Sequence, residues 1–239
     1  MRLDKYLTEA GFGSRSQVKQ SIRKGQVQVD GVTETRSDRS IDEAVSEVIV
    51  QGRVVRFQKT VYYMMNKPTG FVCATRDHRE KTVLELLREE DRRRTDLFPA
   101  GRLDKDAEGL LLITNDGALA HRLLTPRRHV PKTYFVKLSH GLEEEQIQML
   151  EAGIDIGEEK QTLPARFCWK DREKKEALLT ITEGKFHQVK RMFSAIGTHV
   201  LYLKRVRMGN LALDETLEPG QYRALTAEEL KELSEYAEQ

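Results

Sequence analysis

Cysteine is scarce in this chain: Cys73 and Cys168 are the two in 239 residues. So few, so far apart, exclude a disulfide framework and a cysteine-based zinc site. The six histidines (His78, His121, His129, His140, His187, His199) give no H-E-x-x-H or H-x-H spacing, so no bound metal is expected. No apolar run approaches the ~18 residues that a membrane helix needs. The opening MRLDKYLTEAG carries Asp4 and lacks the apolar stretch of a secretory signal. There is no G-x-x-x-x-G-K-[ST] phosphate loop and no G-x-S-x-G nucleophile elbow. Gly11-Phe12-Gly13 starts like a dinucleotide loop, but Ser16 stands where a glycine belongs and no strand precedes it. A charge excess is missing too: 40 Lys+Arg against 38 Asp+Glu leave a formal net charge of +2. The bland reading is a cytoplasmic, membrane-free monomer of one or two domains with no obligate protein partner.

The charges that are present are segregated. Residues 122–137 hold Arg122, Arg127, Arg128, Lys132 and Lys137 and no acid. Residues 183–207 hold six basic residues against Glu183, and residues 214–239 run the other way, with eight acids against Arg223 and Lys231. A basic block is usually a solvated face; two of them interleaved with Tyr and Phe also fit a polyanion groove. Near the start, Leu3, Tyr6 and Leu7 predict a short amphipathic helix. Ser14 predicts the N-cap of a second, carrying Val18 and Ile22 with Arg15, Lys19, Arg23 and Lys24. QVQVDG predicts a hairpin turning at Asp30-Gly31, and two further short strands flank Gln51-Gly52. Residues 1–58 thus form a helix–helix–hairpin unit, with the element order changing near Gln58. Beyond it, strands (VYYMMNKP, LLLIT, TYFVKL, EALLTIT) mix with helices (118–124, EEEQIQMLEAGI, HQVKRMFSAIG and the acidic terminal helix behind Thr226) without a βαβ rhythm. The expected fold class is therefore α+β, with a mixed, largely antiparallel sheet flanked by helices over residues 60–239.

One segment stands apart chemically. Asp104 lies in the polar loop Gly101–Gly109, directly before the buried run LLLIT. A carboxylate at the mouth of a rigid strand is well placed as a nucleophile or base; an ordinary loop acid capping a turn would look the same in isolation. GRLDKDAEGLLLITNDG, however, resembles the catalytic signature of the RsuA-type branch (RsuA, RluB, RluE, RluF) of the ribosomal RNA pseudouridine synthases. Asn66-Lys67-Pro68-Thr69-Gly70, Lys132-Thr133-Tyr134 and the run from Glu183 to Phe193 resemble three further segments of that family, in the family's order. Residues 1–58 resemble the small RNA-binding domain named after ribosomal protein S-four.

The resemblance implies Asp104 as the catalytic carboxylate, Tyr134 as the aromatic against the target base, and Lys190 as the cation paired with Asp104. It implies substrate contacts at Arg102, Lys67, Arg127, Arg128, Lys132, Gln188, Arg191 and Leu203, with Arg102 and Lys67 either meeting phosphate or supporting the site from behind, and an RNA grip at Arg15, Lys19, Arg23 and Lys24. Ala107 stands where the signature usually has Thr, and Lys190 where many relatives have Arg, which removes a bidentate fork. The reaction implied is isomerisation of uridine: the glycosidic bond breaks, the base turns, and a carbon–carbon bond forms. No cofactor is needed because nothing is lost. The base must first flip out of its RNA fold, and an aromatic recovers part of that cost by stacking. The implied partner is ribosomal RNA or a small-subunit assembly intermediate, with 16S favoured over 23S. A non-catalytic RNA-binding assembly factor on the same scaffold is the alternative. Both basic blocks would then line a groove beside Asp104, binding RNA in a salt-sensitive manner, with the acidic terminal helix turned away.

Overall fold

The computed structural model describes residues 1–42, 45–55, 60–92, 96–125 and 128–238. The chain divides into two compact units, Met1–Thr60 with Leu87–Asp96, and Val61–Leu86 with Leu97–Gln239. Residues 56–59, where the expected boundary falls, lie outside the described residues.

In the first unit, α1 (Leu3–Glu9) and α2 (Arg15–Arg23) precede β1 (Val27–Val29), β2 (Val32–Thr33), β3 (Val48–Val50) and β4 (Arg53–Val55). Ser14 caps α2 in a reciprocal box with Gln17, satisfying otherwise orphaned N–H groups at the helix start. Asp30 and Gly31 both take positive φ, 53° and 77°, which is the twist a tight two-residue hairpin requires. The antiparallel sheet runs β2-β1-β3-β4. Leu3, Tyr6, Leu7, Val18 and Ile22 of the helices pack on Val27, Val29 and Val48. Asp4 is fully buried among cations: Arg2 donates two hydrogen bonds to it, and Arg15 and Lys19 stand 3.5 and 3.8 Å away. The segment Leu87–Asp96, with α3 (Glu89–Arg92), groups with this unit.

The second unit is built on a nine-stranded sheet. Its strands are β5 (Tyr62–Lys67), β6 (Phe98–Ala100), β7 (Glu108–Thr114), β8 (Lys132–Leu138), β9 (Arg166–Asp171), β10 (Glu176–Ile181), β11 (Val200–Met208), β12 (Leu211–Ala212) and β13 (Tyr222–Ala224). The main path is β13-β5-β7-β11-β8-β10-β9, with β6 beside β7 and β12 beside β11. Among the described pairs of these strands, only β7 and β11 run parallel. This is the mixed, largely antiparallel sheet that the sequence predicts. Its helices are α4 (Gly117–Leu124), α5 (Glu144–Ala152), α6 (Gln188–Ala195) and α7 (Ala227–Glu238). No described helix is long and apolar enough to cross a membrane.

The strand sequences explain how the sheet is covered. β7 is almost continuously apolar and buried on both faces; Leu110 and Leu112 pack with Leu119 and Leu123 of α4 and Leu233 of α7. β8, β10 and β11 alternate instead, burying one face and leaving the other half-exposed. α6 buries Val189, Met192 and Phe193, and Phe193 meets Phe167 of β9 edge to face.

Candidate active site

Loop 101–107 connects β6 to β7 and is held from below. Lys67, at the end of β5, is fully buried, and its ammonium lies 3.0, 3.4 and 2.8 Å from the carbonyls of Asp104, Lys105 and Ala107. The Gly70 N–H donates to Lys105 O at 2.7 Å, and the Leu103 N–H to Cys73 Sγ at 3.3 Å. An ammonium bonded to several carbonyls fixes the backbone more firmly than a neutral donor would. Lys67 thus supports the loop from behind, one of the two roles expected of it, and as a buried group it is not placed to meet a phosphate. Burial pushes its pKa down, while Cys73, Asp104 and other nearby acids oppose that shift.

The loop presents Asp104 at the wall of a cleft of about 600 Å³. Lys190 Nζ, from α6, stands 3.4 Å from Asp104 Oδ2, and His187 Nε2 stands 3.6 Å from Asp104 Oδ1. The shorter contact of Lys190 is with Asp106, at 2.5 Å. That hydrogen bond holds the Asp106 carboxyl below its usual range, against partial burial. Lys190 therefore bridges two carboxylates rather than pairing with Asp104 alone. His187 has left-handed backbone (φ 48°) at the start of α6, and its ring stacks on Phe186 with centroids 3.8 Å apart. Asp106 and His187 were not among the expected site residues, although both lie inside the quoted motifs, two and three residues from Asp104 and Lys190.

Tyr134 and Leu203 are buried and line the same cleft, as do Arg102, Lys132 and Arg205. β8 and β11 bring Tyr134 opposite Arg205. Two expected contacts have local partners instead. Gln188 borders the cleft, but its amide is engaged locally, donating to Glu183 Oε1 at 2.8 Å and accepting from the Lys185 N–H at 2.9 Å. Arg191 turns away to Glu158, at 2.6 Å, and to the carbonyls of Phe186 and Ile156. Arg128 is exposed and does not border the cleft, and Arg127 lies outside the described residues.

The basic blocks are split, contrary to the expectation that both line the groove whole. Lys132 and Arg205 face the cleft, while Lys137, Lys204 and Arg207 border a depression beside Phe135 and Tyr202. The period of two along a strand sends neighbouring residues to opposite faces, so a contiguous basic run cannot serve one groove. In the first unit, Arg15 and Lys19 lean on Asp4 while staying partly exposed, and Arg23 and Lys24 are exposed. Among the described residues no group of three His, Cys, Asp or Glu is arranged to hold a metal.

Comparison with known proteins agrees with this architecture. Residues 61–195 match the RNA pseudouridylate synthase family, and residues 1–41 match the S4 domain. An uncharacterized RNA pseudouridine synthase of Bacillus subtilis is 49% identical over 98% of this chain and 99% of its own length. Ribosomal small subunit pseudouridine synthase A of Vibrio cholerae is 44% identical, and that of Escherichia coli 40%, each over 96% of this chain and 98% of its own. A pseudouridylate synthase crystal structure superposes with a TM-score of 0.69 at 36% identity, over 98% of this chain and 99% of that one. With its S4 domain, its mixed sheet and a carboxylate-bearing loop at the cleft, the chain belongs to the RNA pseudouridylate synthase family.

Proposed function

We propose that this enzyme isomerises one or a few uridines of small-subunit (16S) ribosomal RNA to pseudouridine, with Asp104 as the catalytic carboxylate. The observation that carries the reading is the constellation at the cleft: Asp104 on a clamped loop, with Lys190 at 3.4 Å and His187 at 3.6 Å. Tyr134 and Leu203 give the same cleft an aromatic and an apolar wall for a flipped base. The choice of small-subunit RNA is supported by relatives of that name that align with nearly the whole chain at 40–44% identity.

In this reading the C1′–N1 bond of the bound uridine breaks and the electron-deficient C1′ faces the Asp104 carboxylate. The base turns and rejoins through C5, whose proton departs while N1 gains one. Lys190, which Asp106 also engages, positions Asp104. Residues 60–239 hold the chemistry; residues 1–58 grip a second part of the RNA through Arg15, Lys19, Arg23 and Lys24. Arg102, exposed at the cleft, contacts the RNA strand around the target.

Tritium release from ribosomal RNA labelled at C5 of uracil tests this. The wild type should release tritium from small-subunit RNA or its assembly particles and Asp104→Asn should not, with RNA binding retained. Release from large-subunit RNA alone would overturn the substrate assignment. Tight binding with no release from any substrate would favour an assembly factor.

A further inference from the structure

The cleft holds two buried cations that the scheme above leaves idle. Arg205 is 2% exposed. Its Nε donates to Leu110 O at 2.8 Å and its Nη1 to Arg102 O at 3.4 Å, but its Nη2 has no hydrogen-bond partner. Lys132 is buried too, and its ammonium donates to Val130 O at 2.9 Å. Among the described residues neither side chain forms an ion pair. Both border the cleft: Arg205 lies opposite Tyr134 on the neighbouring strand, and Lys132 precedes Tyr134 by two residues, on the same face of its strand.

A buried guanidinium nitrogen without a partner is costly, and a second cation beside it adds repulsion. Burial, followed by the charge of Arg205, holds the Lys132 ammonium down to about 8. Such an arrangement fits a site preorganised for negative charge that develops only during reaction. Breaking C1′–N1 creates such a charge. The bonding pair leaves with the uracil, where it spreads over N1, O2 and O4. A backbone phosphate is a poorer candidate, because these cations lie with Tyr134 and Leu203 in the buried wall rather than at the exposed rim.

We propose that Arg205 and Lys132 form the anion site that holds the detached uracil between bond cleavage and rejoining. The assignment rests on the pseudouridine synthase reading of this cleft. During the step, C1′–N1 breaks with its electron pair going to the ring. The ring's charge rests against the two cations, and C1′ faces Asp104. C5 then bonds to C1′, the C5 proton leaves to a base, and N1 ends protonated, so no oxidant or co-reactant is consumed. Both residues are catalytic in that they touch the reacting base.

Single-turnover conversion of saturating, prebound ribosomal RNA tests the site, using wild type, Lys132→Met, Lys132→Arg, Arg205→Lys and Asp104→Asn. Lys132→Met should slow conversion about a hundredfold, as loss of a preorganised donor to a developing anion does. RNA affinity should stay within about threefold, because phosphate contacts dominate it. Lys132→Arg should recover most of the rate. Lys132→Met should also release free uracil, leaving abasic RNA, because a poorly held base escapes before rejoining; a merely structural defect would not change that product ratio. Melting temperatures identify any variant that misfolds, and Arg205→Lys probes the same site while keeping a cation there. Rates within about threefold of wild type for both Lys132→Met and Arg205→Lys would overturn the anion site, as would a loss confined to RNA affinity. Failure of the wild type to convert any ribosomal RNA would instead overturn the reading beneath it.

Discussion

Lys190 sits between two carboxylates that are not equivalent. Asp106 is bonded at 2.5 Å but its side chain is 72% exposed, whereas Asp104 lies at 3.4 Å with its side chain 25% exposed. The exposed pair contributes little because water screens it. We expect Asp106→Asn to release Lys190 to Asp104 and to change the single-turnover rate by less than about tenfold. Lys190→Met should cost about a hundredfold or more, since it leaves Asp104 without its cation. Equal losses in the two variants would mean that Asp106 takes a direct part. At this scale the residues picked from the sequence fall close together: Asp104, Tyr134 and Leu203 line one cleft, and Lys190 stands 3.4 Å from Asp104. The local partners of Lys67, Gln188 and Arg191 could not be read from the sequence. Nothing local to Asn66-Lys67-Pro68 announces that the loop from Leu103 to Ala107 folds over the Lys67 ammonium. Arg205 hid in the same way, inside a basic block whose alternate residues face opposite directions.

Among the elements, the site depends most on how β7 lies against β11. Gly109 pairs with Arg205 in this parallel contact and has φ +104°, and a Cβ there would collide with the Arg205 carbonyl oxygen. Gly109→Ala should therefore cost at least ~1–3 kcal/mol of stability, measured by denaturant unfolding, and should lower activity by displacing Arg205. Unchanged stability would show that the strand contact is looser than the geometry requires. The first unit carries a pH signature. Burial alone would raise the Asp4 carboxyl, but the Arg2 hydrogen bond and the charges of Arg2 and Arg15 outweigh it and hold the value below the usual range. Glu34 is held low by the Arg36 N–H and by Arg39. A depressed folded value stabilises the fold above the unfolded pKa, and that stabilisation is lost as pH falls through the folded one. Hydrogen-exchange protection of α1 and α2, taken relative to the intrinsic rate, should thus fall as pH drops below about 4, and Asp4→Asn should flatten that dependence. These helices and hairpins were legible because their signals are local: the Ser14–Gln17 cap, the Asp30-Gly31 turn, the apolar spacing. The parallel neighbourhood of β7 and β11 was not, because it joins residues about a hundred positions apart and no periodicity reports such a pairing.

At the scale of the whole molecule, an S4 domain and a synthase domain share a chain with little net charge, so affinity for RNA must come from where the cations sit rather than from their number. Order along the chain made the family readable: four motifs and an appended domain appear in the family's sequence, although each residue alone would pass for an ordinary strand aromatic or surface lysine. The choice among ribosomal substrates is carried by resemblance to relatives rather than by any side chain in the cleft. The most direct measurement is therefore a map of pseudouridine in ribosomal RNA from cells lacking this chain, complemented with either the wild type or Asp104→Asn. The account predicts that one or a few pseudouridines disappear from small-subunit RNA and return with the wild type but not with Asp104→Asn. An unchanged small-subunit map, or restoration by Asp104→Asn, would contradict it.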